Sequence, residues 1–303
     1  MSDPSSALVL AGQPVRRLAA ADIPSCMALA ADRNWLPEEN LWRLLAKVSE
    51  MYGIDDPVGG LAGIAVLTRY GAGLASVGMV VVVSRYGRMG LGTRLMRHVL
   101  RQAEGAVVQL TATSHGRGLY ARLGFREVDT SGMYAGRLTC GLRGTVPRSH
   151  GSGDRWRVAV RGAEPADLRA ITELDRPVFG ADRASVLAEL FIFGEAMLVA
   201  ERPAVESGPR LAGFAASWRK DDMLVIGPVV AADLDIAAAL ITRLAAGSES
   251  PVRLDVLGGH AGLAQWATAR GLVRRGQTAF MAYGGSLPGD RNRLFAPVSV
   301  AIG

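Results

Sequence analysis

Glycines and arginines cluster directly after a short valine-rich segment. Residues 80–83 are four consecutive valines, an apolar β-branched run typical of a buried strand. The residues that follow include Gly87, Gly90, Gly92, Arg85, Arg88 and Arg94. Apolar residues at helical spacing begin at Leu91, so the pattern predicts a strand, a glycine-bearing loop and a helix. Because a helix start presents free N–H groups and glycine lets an anion approach the backbone, the pattern indicates phosphate binding. The alternative is a tight strand-to-helix turn that binds nothing.

The glycine spacing separates this loop from two common phosphate-binding loops. It reads GxxGxG rather than the GxGxxG of dinucleotide-binding folds, and no Gly-Lys-Ser/Thr follows. It resembles motif A, (Q/R)xxGx(G/A), of the GNAT superfamily of acyl-CoA-dependent N-acyltransferases, with Gly87 where Gln or Arg is usual. The resemblance implies acetyl-CoA as cosubstrate. The residues expected to bind it are Val80, Val81, Val82, Gly87, Arg88, Met89, Gly90, Leu91, Gly92 and Thr93.

A second signature follows about thirty residues later. Residues 118–125, GLYARLGF, resemble the superfamily's motif B, LYxxLGF, which is a helix end followed by a strand. The resemblance implies that Tyr120 protonates the departing thiolate. A phenol with a pKa near 10 can do this, because the thiolate has comparable basicity. The alternative for Tyr120 is a half-buried helix tyrosine with its hydroxyl group in water.

Length and composition limit the possible classes of protein. The 303 residues suggest two domains, and 49% hydrophobic with 20% charged residues is typical of a soluble globular protein. The net charge of +6 comes almost entirely from arginine, without a basic run interleaved with aromatic residues, so we expect no nucleic-acid partner. Cys26 and Cys140 are too few for a disulfide framework or a metal site, so we expect no metal and a cytoplasmic location. No apolar run is long enough to span a bilayer, so we expect no membrane partner.

The second half of the chain repeats the first. RRLAAADI at 16–23 matches RGAEPADL at 161–168, and Arg69 falls opposite Arg219. An ungapped comparison of the halves places Ile236 at Gly87, Ala239 at Gly90 and Ile241 at Gly92. Near the second signature, the comparison places Ala267 opposite Tyr120. We therefore expect cofactor chemistry in the first copy only.

The repeat and the composition predict the domain organisation. We expect an N-terminal GNAT domain at 1–142 that binds acetyl-CoA, a polar glycine-rich linker at 143–155, and a degenerate GNAT-like domain at 156–303. The resemblance implies an α/β (α+β) fold in which each domain has a mixed, largely antiparallel sheet flanked by helices. The C-terminal half contains the segments FGADR at 179–183, IGPVVA at 226–231, LDV at 254–256 and LFA at 294–296, and with these it resembles the YitH-like half of tandem-GNAT proteins. A fragment that ends near Arg148 is expected to bind acetyl-CoA.

The sequence does not single out a general base. Asp32, Glu38 and Glu39 are candidates, with solvated helix or cap positions as the alternative, and His115 is either a base, a cofactor contact or a solvent-facing helix residue. The remaining polar and aromatic candidates could contribute to a substrate pocket, or could cap helices, pair with each other or lie in the core. They are Asp182, Arg183, Asp255, Trp35 and Trp42.

Taken together, the two signatures predict an N-acetyltransferase. The acetyl group would pass directly from acetyl-CoA to a primary amine of a small molecule or peptide. The alternatives are a module that binds CoA without transfer, and an O-acyltransferase or decarboxylase on the same scaffold. The expected state is a monomer or a homodimer.

Overall fold

The computed structural model describes residues 12–35, 38–139, 158–202 and 210–303. These residues form two compact units. Unit 1 contains the chain up to Glu127 together with residues 281–287 and Ile302, and unit 2 contains residues 128–280, 288–301 and Gly303. The predicted linker, 143–155, lies outside the described residues.

Unit 1 is built from one sheet with helices packed on it. Its strands are β1 (Val15–Arg17), β2 (Glu50–Asp55), β3 (Leu61–Tyr70), β4 (Leu74–Val82) and β5 (Val107–Ala112). Its helices are α1 (Ile23–Asp32), α2 (Glu39–Val48), α3 (Leu91–Gln102) and α4 (Ser114–Arg122). The first four strands are antiparallel in sequence order, and β5 adds to β4 in parallel. The predicted mixed, largely antiparallel sheet is confirmed.

The apolar pattern of α3 explains how unit 1 buries this helix. Leu91, Leu95, Met96 and Val99 recur at helical spacing and are all buried. Gly63 on β3 makes room for this packing, because a Cβ atom there would lie 3.0 Å from Leu95 Cδ1. The sheet therefore holds α3 along a fixed line, with its N-terminus at the end of β4.

Unit 2 repeats this arrangement. Its strands are β6 (Arg126–Gly136), β7 (Ala159–Gly162), β8 (Ala196–Arg202), β9 (Arg210–Lys220), β10 (Met223–Ala231), β11 (Val252–Leu257), β12 (Val273–Tyr283) and β13 (Leu294–Ala296). Of these, β6 belongs to unit 2 only from residue 128 onward, and β12 only up to residue 280. Its helices are α5 (Leu168–Phe179), α6 (Ala184–Phe193), α7 (Leu234–Ala245) and α8 (Ala261–Ala269). Strands β7 to β10 are antiparallel, β11 is parallel to β10, and β6 is antiparallel to β11.

The units are not continuous in sequence. From residue 128 onward, β6 lies in unit 2, although it follows the second signature directly. Conversely, residues 281–287 lie in unit 1, where a Cβ atom on Gly285 would contact the Val107 side chain of β5. The compact units therefore differ from the predicted segments 1–142 and 156–303, because each half of the chain supplies part of the other unit.

Repeated ion pairs support the internal duplication. In unit 1, Arg16 pairs with Asp22 at 2.7 Å, and in unit 2 Arg161 pairs with Asp167 at the same distance. Each aspartate also accepts a hydrogen bond from the backbone N–H group three residues before it. The Arg69–Glu50 pair of unit 1 likewise has an Arg219–Glu195 counterpart in unit 2. The two copies thus share their polar contacts as well as their strand order.

Within the described residues, no helix is both long and apolar enough to cross a membrane.

Candidate functional site

The end of β4 separates from β5 in unit 1. The parallel ladder between the two strands runs from Leu74 to Val77, and β4 continues to Val82. Beyond that point Met79 has a left-handed backbone (φ +50°), and the β3–β4 register shifts between Ile64 and Val66. This is a β-bulge, which bends a strand and interrupts its pairing. The backbone of Val80 and Val82 therefore offers an edge to which an extended ligand could add.

The loop after β4 ends in an uncapped helix start. Residues Ser84–Tyr86 form a 3₁₀ turn, Arg88 and Gly90 have left-handed backbones (φ +65° and +84°), and α3 begins at Leu91. The N-cap residue is Gly90, which has no side chain, and the first intrahelical bond runs from Arg94 N to Gly90 O at 3.0 Å. The N–H groups of the first helical turn thus face the loop with the positive end of the helix dipole. This arrangement suits an anion.

The two signatures meet at Gly92. A Cβ atom at this position would lie 3.2 Å from Leu119 Cδ2 on α4 and 3.9 Å from Val82 Cγ2 on β4. Leu119 precedes Tyr120, so the start of α3, the end of β4 and the helix that carries the tyrosine come together here. At Gly90, by contrast, a Cβ atom would meet nothing within 4 Å. Glycine is needed there for its left-handed backbone, not for space.

Tyr120 is buried, with 8% of its surface exposed. Its ring lies back over Gly116, where a Cβ atom would come within 2.8 Å of Tyr120 Cε2, and it meets Phe125 edge-on at 5.9 Å between ring centroids. Burial raises the pKa of Tyr120 to about 12. The phenol therefore keeps its proton at neutral pH, as a proton donor must. The ring is more deeply buried than in the alternative of a half-buried tyrosine with its hydroxyl group in water.

The arginines of the loop differ in their surroundings. Arg88 is exposed, as is Gly90 two residues later. Arg85 pairs with Asp56, a carboxylate on the turn between β2 and β3. Its guanidinium group also lies 4.9 Å from the ring centroid of Tyr86. Arg85 thus holds the loop to the sheet, a role that the sequence pattern did not predict.

The structure places the predicted base candidates in structural positions. Asp32, at the end of α1, accepts hydrogen bonds from Ser84 N at 2.5 Å and Ser84 Oγ at 3.0 Å. Glu39 pairs with Arg43 one helical turn away, Glu38 is the N-cap residue of α2, and His115 is exposed on α4. The helix and cap alternatives fit Asp32 and Glu39, and the solvent alternative fits His115, whereas Glu38 makes no side-chain cap hydrogen bond and has one buried carboxylate oxygen.

The other candidates are also placed by the structure. Asp182 accepts from Ala184 N at the start of α6, and Arg183 forms a buried ion pair with Asp175 at 2.7 Å. Asp255 pairs with Arg253 on its own strand. Of the tryptophans, Trp42 belongs to the core with 1% exposed surface, whereas Trp35 is 40% exposed. Pairing, capping and core packing account for all of these except Trp35.

The equivalent position of unit 2 is closed in two ways. Only two residues separate the end of β10 from the start of helix α7, so the loop present in unit 1 is absent. The N-cap residue of α7, Asp233, accepts a hydrogen bond from Ile236 N at 2.9 Å. The ungapped comparison that placed Ile236, Ala239 and Ile241 opposite the loop glycines is therefore wrong over this stretch. Beyond the β10–β11 ladder, β13 pairs with Val229 and Val230 of β10. A strand of the chain thus occupies the edge that stays open on β4.

The second signature of unit 1 and its counterpart in unit 2 do correspond in the structure, as the sequence comparison predicts. Helices α4 and α8 end with the same pattern, because Phe125 N bonds to Tyr120 O and Leu272 N bonds to Ala267 O, both at 3.1 Å. Gly124 and Gly271 follow the helices with left-handed backbones (φ +95° and +94°). Ala267 therefore stands where unit 1 has Tyr120. Unit 2 lacks the phenol as well as the loop.

Among the described residues, no group of three or more His, Cys, Asp or Glu side chains could hold a metal ion.

Comparisons with known proteins agree with this geometry. Family models described as "Acetyltransferase (GNAT) domain" match residues 47–127 and residues 171–296. The curated protein "Uncharacterized N-acetyltransferase YitH" of Bacillus subtilis is 26% identical over 284 residues, which cover 93% of this chain and 95% of that protein.

Solved structures show the same fold. A putative acetyltransferase from Pyrococcus horikoshii superposes with a TM-score of 0.76 at 19% identity, covering 96% of each chain. A tandem GNAT protein from the clavulanic acid biosynthesis pathway gives 0.62 at 14% identity, covering 90% of this chain and 99% of that one. At these identities the likeness concerns the fold alone.

Proposed function

Since the chain belongs to the GNAT acetyltransferases and carries two copies of their domain, we propose that it transfers an acetyl group from acetyl-CoA directly to a primary amine of a small molecule or peptide. The cosubstrate binds in unit 1. The observation that carries the proposal is the uncapped start of α3, which follows a loop with two left-handed residues and contacts the helix of a buried tyrosine.

Different residues of unit 1 bind different parts of acetyl-CoA. The backbone N–H groups of residues 88–93 hold the diphosphate, since they face the loop with the positive end of the α3 dipole. The backbone of Val80 and Val82 pairs with the pantetheine arm in the manner of an added strand. Arg88 adds a cation at the exposed side of the loop. Most of the affinity thus comes from the backbone, in keeping with Gly87 at a position where Gln or Arg is usual.

Tyr120 acts as the proton donor. The neutral amine attacks the thioester carbonyl carbon, the new N–C bond forms as the C–S bond breaks, and the thiolate takes the proton of the Tyr120 hydroxyl group. The proton lost by the amine nitrogen goes to solvent, and Tyr120 regains a proton from solvent, so one amide and one thiol result. A pKa of about 12 keeps the phenol protonated before the thiolate forms, but it also makes Tyr120 a weaker acid than a phenol with a pKa near 10, so the proton transfer to the thiolate is uphill.

One observation favours a second function. Among the predicted bases, Asp32 and Glu39 are engaged in structural contacts, which leaves binding of acetyl-CoA without transfer as the alternative. The buried Tyr120 favours transfer, because a binding module has no use for a proton donor.

The two functions separate in a single experiment. The full-length protein is incubated with acetyl-CoA and a panel of amines, and free CoA is detected with a thiol reagent. Cys26 does not interfere, because burial raises the pKa of its thiol to about 12. Reactions without amine correct for Cys140 and for hydrolysis. Amine-dependent thiol release supports transfer, whereas saturable binding of acetyl-CoA without release under any amine supports the binding module.

A further inference from the structure

A buried carboxylate lies beside the loop of unit 1, and the proposed reaction does not use it. Asp56 follows β2, and its side chain has 0% exposed surface. One carboxylate oxygen accepts from Val58 N at 3.0 Å and from the Tyr86 hydroxyl group at 3.1 Å, and the other accepts from the Arg85 guanidinium group. A buried carboxylate with three donors is strongly fixed in place.

Asp56 is itself anchored in a tight turn. Its backbone N–H group bonds to Gly60 O at 3.0 Å, and its carbonyl oxygen accepts from Gly59 N at 2.9 Å. This turn joins β2 and β3, two strands paired along most of their length in the centre of the unit 1 sheet. The carboxylate therefore connects the rigid sheet to the first residues of the loop, which form the Ser84–Tyr86 turn.

The residues held by Asp56 lead directly into the anion-binding backbone. Arg85 and Tyr86 form the 3₁₀ turn before Gly87, and Arg88 follows with a left-handed backbone. A residue with a side chain adopts this conformation only when its surroundings impose it. The contacts to Asp56, two and three residues earlier, supply that constraint.

We propose that Asp56 is a positioning residue for the acetyl-CoA diphosphate. It fixes the Ser84–Tyr86 turn, so that the backbone N–H groups from Arg88 onward point to one place before the cosubstrate arrives. This inference rests on the proposed function of unit 1. Asp32 holds the same turn from α1 through Ser84, but that contact is exposed and contributes less.

The charge of Asp56 and its positioning role predict opposite changes in the affinity for acetyl-CoA when the charge is removed. A carboxylate beside a polyanionic ligand repels it, so removing this charge without disturbing the loop would tighten binding. If Asp56 positions the loop, removing its charge breaks the ion pair to Arg85, frees the turn and weakens binding. The direction of the change in Kd therefore separates positioning from electrostatics.

The test is calorimetric titration of the full-length protein with acetyl-CoA, comparing Asp56→Asn with Asp55→Asn. The control removes the same charge from the neighbouring residue, which pairs with Arg16 and is about half exposed. A charge-assisted hydrogen bond corresponds to about ten- to a hundredfold in an equilibrium constant, so we expect Kd to rise about tenfold for Asp56→Asn. For Asp55→Asn it should stay within about twofold.

A second variant keeps the test decisive if Asp56→Asn folds poorly. Tyr86→Phe removes only the hydroxyl group that bonds to Asp56 and changes no charge, and it should raise Kd about threefold or more. Loss of folded protein lowers the number of sites per chain without changing Kd, whereas mispositioning raises Kd at full occupancy. The KM for acetyl-CoA should rise with Kd in both variants, while the KM for the amine should not change.

Each outcome has a definite meaning. A Kd that is unchanged or lower in Asp56→Asn and unchanged in Tyr86→Phe, with full binding by the unaltered protein, overturns the inference and leaves the proposed function standing. Absence of binding by the unaltered protein overturns the proposed function itself, and the positioning role with it.

Discussion

Tyr120 is the residue on which the proposed transfer depends. Tyr120→Phe keeps the ring over Gly116 and against Phe125 but removes the proton donor. We expect kcat to fall about a hundredfold or more, the range typical of a lost general acid, with little change in the Kd of acetyl-CoA. Steady-state kinetics together with calorimetry measure the two effects separately. An unchanged kcat would assign the proton to water and remove Tyr120 from the mechanism.

The pH dependence of the reaction follows from the pKa of Tyr120. Burial raises that pKa to about 12, so the phenol remains protonated well above its ordinary titration range. With a weakly basic amine as acceptor, the rate should stay level from about pH 7 to about pH 10, because neither the amine nor Tyr120 titrates there. A decline with an apparent pKa near 10 would indicate an exposed phenol.

The same shift affects folding stability at high pH. Since the folded protein binds the Tyr120 proton more tightly than the unfolded chain does, the contribution of this proton to stability is complete below about pH 10. It is lost as the pH rises toward about 12.

Substitution of Gly90 tests whether its left-handed backbone conformation matters for acetyl-CoA binding. Gly90→Ala meets no atom within 4 Å, so its cost is backbone strain of about 1 kcal/mol, and strain in the loop should also weaken acetyl-CoA binding. Gly105→Ala is the matched control, because Gly105 has nearly the same backbone (φ +85°), equally open space and a position after α3. Thermal unfolding should show similar losses of stability in both variants. Only Gly90→Ala should raise Kd, and equal Kd values would remove Gly90 from the site.

At the level of single residues, the sequence identifies the candidate functional residues that belong to a short sequence motif. The glycines, Arg88 and Tyr120 stand in short motifs, so the sequence identifies them as candidates. Asp56 stands in no motif, because its role arises from contacts with residues almost thirty positions away. Arg85 stands beside the phosphate loop in sequence, and nothing local indicates that its partner is Asp56.

The elements of unit 2 predict one acetyl-CoA site per chain. Helix α7 is capped by Asp233, the loop is missing, and β13 pairs with β10 where the pantetheine arm would add. Calorimetry of the full-length protein should therefore give one site. Asp233→Ala opens the cap and should cost about 1 kcal/mol of stability, but the number of sites should remain one. A second site in this variant would show that the cap alone keeps the cofactor out.

At the level of elements, periodicity predicted the strand, loop and start of α3 in the right order, and the predicted start at Leu91 is confirmed. The closure of unit 2 was expected, but for a wrong reason. An ungapped comparison cannot detect a shortened loop, so it places isoleucines opposite the loop glycines, whereas the structure has a capped helix that only two residues separate from β10. The pairing of β13 leaves no signal, because three apolar residues fit many positions in a sheet.

Each half of the chain supplies a segment to the other unit, and this affects how a fragment containing only one half should fold. Unit 1 includes residues 281–287, and among these Tyr283 packs on Phe125 at 5.3 Å between ring centroids, next to the ring of Tyr120. In unit 2, Ser131–Gly136 of β6 pair with β11. Composition and repeats locate two copies of a fold, but they cannot show that each half of the chain supplies a segment to the other unit, because nothing in the sequence of such a segment indicates its partner.

We therefore expect a fragment of residues 1–142 not to bind acetyl-CoA as the full-length protein does, in contrast to the behaviour predicted from sequence for a fragment ending near Arg148. The fragment lacks Tyr283 beside Phe125, and it retains β6 without its partner β11, an unpaired edge that favours aggregation. The matched control is a full-length chain with a protease site inserted within 143–155 and cleaved after folding, which still contains every segment of both units. Calorimetry and circular dichroism should show binding and cooperative unfolding for the cleaved chain but not for the fragment. A monomeric fragment that binds with the full-length Kd would mean that residues 281–287 are dispensable to the site and that unit 1 folds from the N-terminal half alone.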